Sequence, residues 1–235
     1  MKEDVIMKLR KKIVLSILVV FIISIQVMFA DEVMDAITAV SQNDSNALQK
    51  LLDGGLDPNL TGVENYQASL LNIACRNNSI EMVKLLLANG ADVNIKGHGN
   101  YAPIMWAAES AKTTEIMELL IAEGADINPI AQDGVNALIK AIFGVLSDNG
   151  SLAAITLLID KGMDVNYAID DEGAPGYNAL MFAVRWGKIE VVKYLISVDA
   201  DVNAKAGSGD TPLSIAVEEE FAEIISLLKE AGAKE

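Results

Sequence analysis

The nine residues LLANGADVN at 86–94 return, little changed, as LIAEGADIN at 120–128, LIDKGMDVN at 158–166 and LISVDADVN at 195–203, with a weaker copy, LLDGGLDPN, at 51–59. Each copy reads as the apolar end of a helix, then a residue suited to left-handed backbone, then an Asp-x-Asn that starts an extended turn. Self-similarity at a steady interval of roughly 20–50 residues is the sequence mark of a repeat architecture, so the string decides the fold.

Working outward from 86–94 gives the unit. Ser69 precedes LLNIACRNN, a short apolar helix whose free amides Ser69 is suited to cap, and Asn78 tolerates the left-handed conformation that ends it. IEMVKLLLA follows, with Met82, Val83, Leu85, Leu86 and Leu87 leaving little polar face. A helix so apolar must be covered on two sides, as it is between neighbours in a stack. The first helices of the other copies open at Ala102-Pro103-Ile104, Asn136-Ala137-Leu138, Asn178-Ala179-Leu180 and Thr211-Pro212-Leu213. Pro103 and Pro212 fall at the first helical position, where a missing amide costs nothing. A small residue that lets paired helices approach recurs as Ala39, Ala74, Ala107, Ala141, Ala183 and Ala216. Ala74 to Gly90, Ala183 to Asp199 and Ala216 to Gly232 are each 16 residues apart.

These motifs resemble the ankyrin-repeat family, whose unit opens Thr-Pro-Leu-His-x-Ala and closes Gly-Ala-Asp-Val-Asn. Thr211-Pro212-Leu213-Ser214-Ile215-Ala216 and Gly90-Ala91-Asp92-Val93-Asn94 carry the likeness most clearly. The resemblance implies an all-α ankyrin-repeat solenoid of about six helix-turn-helix units with β-hairpin-like turns, at 34–66, 67–99, 100–133, 134–175, 176–208 and 209–235. The motif His is absent throughout, its place taken by Asn72, Met105, Ile139, Met181 and Ser214, so the hydrogen bonds it usually makes are expected to be missing, with some local loss of stability. Asp199 is a costlier choice than Gly. Ala141 to Gly162 spans 21 residues, so IFGVLSDNGS is expected to extend the first helix of the fourth unit and turn at Asp148-Asn149-Gly150. YAIDDEGAPGY at 167–177 is also a longer turn than its counterparts. Insertions in a solenoid map to loops, on the binding face or by neutral drift.

The chain has 235 residues and a net charge of −15, so phosphate backbones and anionic lipid are repelled and nucleic acid is excluded as an expected partner. The exception to this acidity is the N-terminus, where Lys2, Lys8, Arg10, Lys11 and Lys12 precede an apolar run from Ile13 to Ala30. That layout reads as a signal peptide at 1–30 cleaved after Ala30, or, since about 17–20 apolar residues can span a bilayer, as an uncleaved anchor through 13–30. Met28 is larger than a cleavage site prefers, and Met7 is an alternative start. Either way the basic flank places the repeats outside the cytoplasm, in a periplasm or beyond the cell.

The chain is poor in reactive groups. His98 sits in the turn IKGHGN with no nucleophile or orienting acid specified near it. Cys75, the one cysteine, reads as a buried small hydrophobe. Asp170-Asp171-Glu172 lacks the alternating ligand spacing of a calcium loop and reads as a solvated turn. No catalytic residue, metal ligand or cofactor is expected. Glu218-Glu219-Glu220 suits the polar outer surface of a terminal unit.

A solenoid offers instead an extended concave surface. The resemblance implies that the residue between the motif His and Ala, the positions after the paired small residues, and the turn tips contact partners. Here those are Ile73, Trp106, Lys140, Phe182 and Ile215, then Arg76, Arg185 and Trp186, with Tyr101 and Tyr177 beside the turns. Trp, Tyr and Arg dominate binding hot spots. The expectation is a monomeric, exported, non-catalytic protein-binding module, with a membrane-tethered scaffold or a metal-dependent or enzymatic module as alternatives.

Overall fold

The computed structural model describes residues 31–61 and 68–234; the basic and apolar leader at 1–30 lies outside them. Among the described residues the chain is helical and turning, with twelve helices and no strand longer than a single bridge. After α1 (31–41) come α2 (Ser45–Asp53), α3 (Leu70–Arg76), α4 (Ile80–Ala88), α5 (Pro103–Glu109) and α6 (Glu115–Ala122). Then follow α7 (Ala137–Leu146), α8 (Leu152–Asp160), α9 (Ala179–Arg185), α10 (Ile189–Ser197), α11 (Pro212–Glu218) and α12 (Ala222–Glu230). They pair as six antiparallel units. First helices stack in one row, α3 on α5, α5 on α7, α7 on α9 and α9 on α11, while α4 packs on α2 and α6, and α12 on α10.

Local chemistry sets these boundaries. The side chains of Ser69, Asn136, Asn178 and Thr211 accept from the backbone N–H three residues on, satisfying amides a helix start would orphan. That accounts for Ser69, Asn136 and Asn178 being buried polar residues. Gly90 (φ +87°) and Asp199 (φ +64°) both occupy the left-handed region at a helix end. The second helices are covered on both sides: Met82, Val83 and Leu86 of α4 and Ala154, Ile155 and Leu158 of α8 are fully enclosed. The small residues of the first helices, Ala74, Ala141, Ala183 and Ala216, are likewise at zero exposure.

The closing Asn of the repeated string is what links one unit to the next. Asn94 donates from Nδ2 to the Gly124 carbonyl (3.2 Å) and accepts at Oδ1 from the Asp126 N–H (2.8 Å). Asn59 binds Gly90 and Asp92 in the same way, Asn166 binds Asp199 and Asp201, and Asn203 binds Gly232 and Lys234. One rung is absent among the described residues, that from Asn128 to the fourth unit. In the other four turns the residue after Asn donates its N–H to the Asp carbonyl, as Ile95 does to Asp92 at 3.1 Å. Pro129 follows Asn128 and has no N–H to give, and it also drives Asn128 away from helical backbone, so the turn opens and the side chain is not presented.

The fourth unit departs as its length predicts. α7 has 10 residues where α3, α5, α9 and α11 have 7, and its extension rests directly on α5: a Cβ added at Gly144 would lie 2.1 Å from the Glu109 carbonyl oxygen. The chain then turns through Asp148 (φ +58°) and closes with Gly150 N–H donating to Gly144 O at 2.8 Å. The longer turn at 167–177 is a closed hairpin, Ile169 N–H to Tyr177 O (2.8 Å) and Gly176 N–H to Ile169 O (2.7 Å). Its tip reaches the next turn, where Gly207 N–H donates to Pro175 O at 2.7 Å. The hairpin-like turns thus amount to isolated antiparallel bridges, Ile130 with Asn136 and Ala168 with Asn178.

The missing motif His has a different consequence from the one its absence suggests. Asn72 retains an inter-unit bond, Nδ2 to Tyr101 O at 3.1 Å, and Ser214 completes a reciprocal capping box with Thr211. Met105, Ile139 and Met181 are fully buried, exchanging a polar bond for apolar packing. Asn72 substitutes only in part, since its Oδ1 is buried without a partner.

Candidate partner-binding surface

The first-helix row and its turns gather the proposed contact residues into two clusters. In the first, Trp106 on α5 has the Lys140 ammonium 4.5 Å from its ring centroid and the Arg76 guanidinium at 5.8 Å, and Tyr101 packs on it at 5.3 Å. Lys140 also lies over Tyr101 at 4.7 Å and is paired with Glu109 at 2.8 Å. Only 8% exposed, Lys140 spends its charge inside the chain, across the seam between α5 and α7. The Tyr101 hydroxyl donates to Asp133; burial first, then that carboxylate, hold the phenol well above its ordinary range, so it remains a donor.

The second cluster is aromatic, with a cation at its edge. Phe182 meets Phe143 edge-on at 5.1 Å and Tyr177 at 5.4 Å. Arg185 donates to the Tyr177 hydroxyl (2.9 Å) and to Glu218 and Glu219 (3.0 Å each), joining the fifth unit to the sixth. The Tyr177 bond above all, with the two carboxylates, raises the guanidinium further beyond neutrality. Arg185 is thus in part a tie between units and not simply a free contact.

Two residues of the expected set are excluded from any surface. Ile73 and Ile215 are 1% and 0% exposed, their side chains packed into the core, whereas Trp106 and Phe182 at the same motif position stay partly exposed. Trp186 is the opposite case, 62% exposed, immediately after α9. Sequence reasoning did not single out Phe143, Glu109 or Asp133, and gave Glu218 and Glu219 only a place on the outer surface; each acts on a residue 31 to 39 positions away, a relation visible only once units are stacked.

Catalytic machinery is not assembled around the groups that could supply it. His98 is exposed in a single 3-10 turn, and Cys75 is buried, its thiol pushed up by desolvation. Among the described residues no group of three or more His, Cys, Asp or Glu is placed to hold a metal ion, and no helix is long and apolar enough to cross a membrane.

Comparison with known proteins agrees with this geometry. The family model of ankyrin repeats matches in three copies, at residues 33–131, 104–206 and 146–235. The chain belongs to the ankyrin-repeat family. Similar proteins include the ankyrin repeat and KH domain-containing protein mask-1 of Caenorhabditis elegans, 33% identical over 165 residues (69% of this chain, 6% of the relative). The nuclear factor NF-kappa-B p105 subunit of Gallus gallus is 33% identical over 192 residues (79% and 19%), and the putative ankyrin repeat protein FPV031 of fowlpox virus 31% over 166 (68% and 46%). The chain therefore spans less than half the length of these relatives. The human ASB11 ankyrin repeat domain superposes with a TM-score of 0.71 at 23% identity, covering 84% of this chain and 83% of that one, a likeness of fold. Ankyrin repeats are generally protein-protein interaction modules and typically non-catalytic scaffolds.

Proposed function

We propose that this ankyrin-repeat protein is exported and, as a monomer, binds a protein partner non-catalytically through the first-helix row and its turns. The observation that carries the reading is Trp186: a large indole left mostly in water where the other aromatics among the described residues are at least partly buried. Trp is the side chain most enriched at hot spots, and its burial in a partner's pocket recovers the apolar area the fold leaves open. The charge of −15 disfavours nucleic acid and leaves protein as the partner class. Export rests on the basic and apolar leader alone, and the tethered form differs only in whether cleavage follows Ala30.

The test is affinity capture from the native envelope and culture fluid with the wild-type protein beside Trp186→Ala. Because Arg185 ties two units together, its removal would confound folding with binding, and Trp186 is the cleaner choice. A protein retained by the wild type and lost by the variant supports the reading; retention by both moves the surface elsewhere, and capture of nothing by either removes it. N-terminal sequencing of the native protein separates the forms: a start at Asp31 means cleavage, and an intact Met1 or Met7 on membranes means an anchor.

A further inference from the structure

A cleft of about 510 Å³ opens where units two, three and four meet. Its walls are the last residue of α3 and the turn after it (Arg76, then Asn77 and Asn78), α5 and the turn after it (Trp106, Lys112), and Asn149 from the loop peculiar to the fourth unit. The loop that lengthens the fourth unit therefore completes a concavity that spans three repeats. Its volume lies within the range of small-ligand sites, roughly 300–1,000 Å³.

The lining has a consistent chemistry. Arg76 and Lys112 are exposed, and neither has an ion-pair partner among the described residues. The carboxylate that borders the cleft, Glu109, is occupied by Lys140 at 2.8 Å. Asn77, Asn78 and Asn149 add amide donors, and Trp106 adds an apolar wall whose Nε1–H is buried without an acceptor. On a chain of net charge −15, Arg76 over the Trp106 ring and Lys112 on the cleft wall, neither ion-paired among the described residues, form a local site of the opposite sign. At physiological ionic strength, with a screening length of about 8 Å, the nearby cations outweigh distant carboxylates.

We propose that this cleft receives an aspartate or glutamate side chain of a peptide segment, its carboxylate paired by Arg76 and Lys112 and a neighbouring apolar side chain laid against Trp106. The proposal rests on the protein-binding reading above and specifies partner chemistry at a place separate from Trp186.

A random-sequence peptide-display library, selected on the wild-type protein and on an Arg76→Gln, Lys112→Gln variant, tests it. Both positions are exposed, so the variant should melt as the wild type does. Peptides retained by the wild type but not by the variant are expected to be enriched in Asp and Glu. A selected peptide should bind about tenfold or more weakly when its acidic residue is replaced by the amide, the loss of one charge-assisted hydrogen bond. Such binding should also change the emission of Trp106 in a Trp186→Phe background, where it is the remaining indole. Three outcomes overturn the proposal: a variant-sensitive pool without acidic enrichment, an amide peptide that binds equally, or inorganic phosphate binding with no acidic peptide selected. Peptides that depend on Trp186 and ignore Arg76 and Lys112 sink the cleft but leave the protein-binding function standing.

Discussion

The asparagine ladder makes a prediction with an internal control. Asn94→Ala removes two side-chain hydrogen bonds to the next unit, at 3.2 and 2.8 Å, both between groups that sit at the surface. An intramolecular hydrogen bond contributes about 0.5–1.5 kcal/mol net, so the pair contributes about 1–3 kcal/mol. Water can reach the freed Gly124 carbonyl and Asp126 amide, which places the cost in the lower half of that range, about 1–2 kcal/mol. Asn128→Ala changes the same residue at the same motif position, but the bond made there is from the backbone N–H to Asp126 Oδ1 at 2.9 Å, which survives the substitution. Its effect should stay within about 0.5 kcal/mol, the range of surface changes away from special features. Urea unfolding followed by far-UV circular dichroism measures both, with equal slopes taken as the sign that only stability has changed. Equal losses for the two variants, or a loss below about 0.5 kcal/mol for Asn94→Ala, would refute the assignment of inter-unit coupling to these side chains.

Other perturbations address the core and the pH response. Leu86, at zero exposure between second helices, should cost about 2–5 kcal/mol when replaced by Ala, measured by the same unfolding curves. Gly144→Ala places a methyl 2.1 Å from the Glu109 carbonyl oxygen, a backbone atom that cannot swing away, and should lose about 1–3 kcal/mol or more and shift α7 on α5. Trp186→Ala should leave the urea midpoint unchanged while abolishing partner capture. Burial raises both the Cys75 thiol and the Tyr101 phenol, Asp133 adding to the latter, so the folded chain keeps protons that the unfolded chain releases above about pH 8.5 and pH 10 respectively. Above those values the unfolded state binds fewer protons, hence stability is full below them and declines as pH rises; Tyr101→Phe should flatten the decline above about pH 10, read from urea midpoints across that range.

The repeated string made the fold legible because helix ends, caps and left-handed residues are local decisions: Ser69, Asn78, Gly90, Pro103 and Thr211 each fix their own backbone. Periodicity then placed the copies against one another, and the long fourth unit and the long turn at 167–177 were visible as counts of residues. What could not be read was where side chains go once units stack. Lys140 occupies the same motif position as Trp106 and Phe182, yet it is enclosed because Glu109 and two aromatic rings from the preceding unit receive it. Arg185 stands beside Trp186 in sequence and differs from it wholly in circumstance, one tied to Tyr177, Glu218 and Glu219, the other in water. Those outcomes depend on residues a full repeat away, and a single unit's pattern carries no information about them.

The seam between the third and fourth units shows how such non-local choices compensate one another. Pro129 opens the turn, and the asparagine rung is absent there among the described residues. At the same seam α7 lies against α5 through Gly144, Lys140 crosses to Glu109 and the Tyr101 and Trp106 rings, and Gln132 N–H reaches Gly99 O at 2.8 Å. The junction is thus held mainly on its first-helix side. In a chain where each unit touches mainly its neighbours, stability is close to a sum of unit and junction terms, so the contacts made at this junction act on it and on the surface next to it. That surface is the wall of the cleft, where the Lys140 ammonium packs on one ring, Trp106, that also meets Arg76.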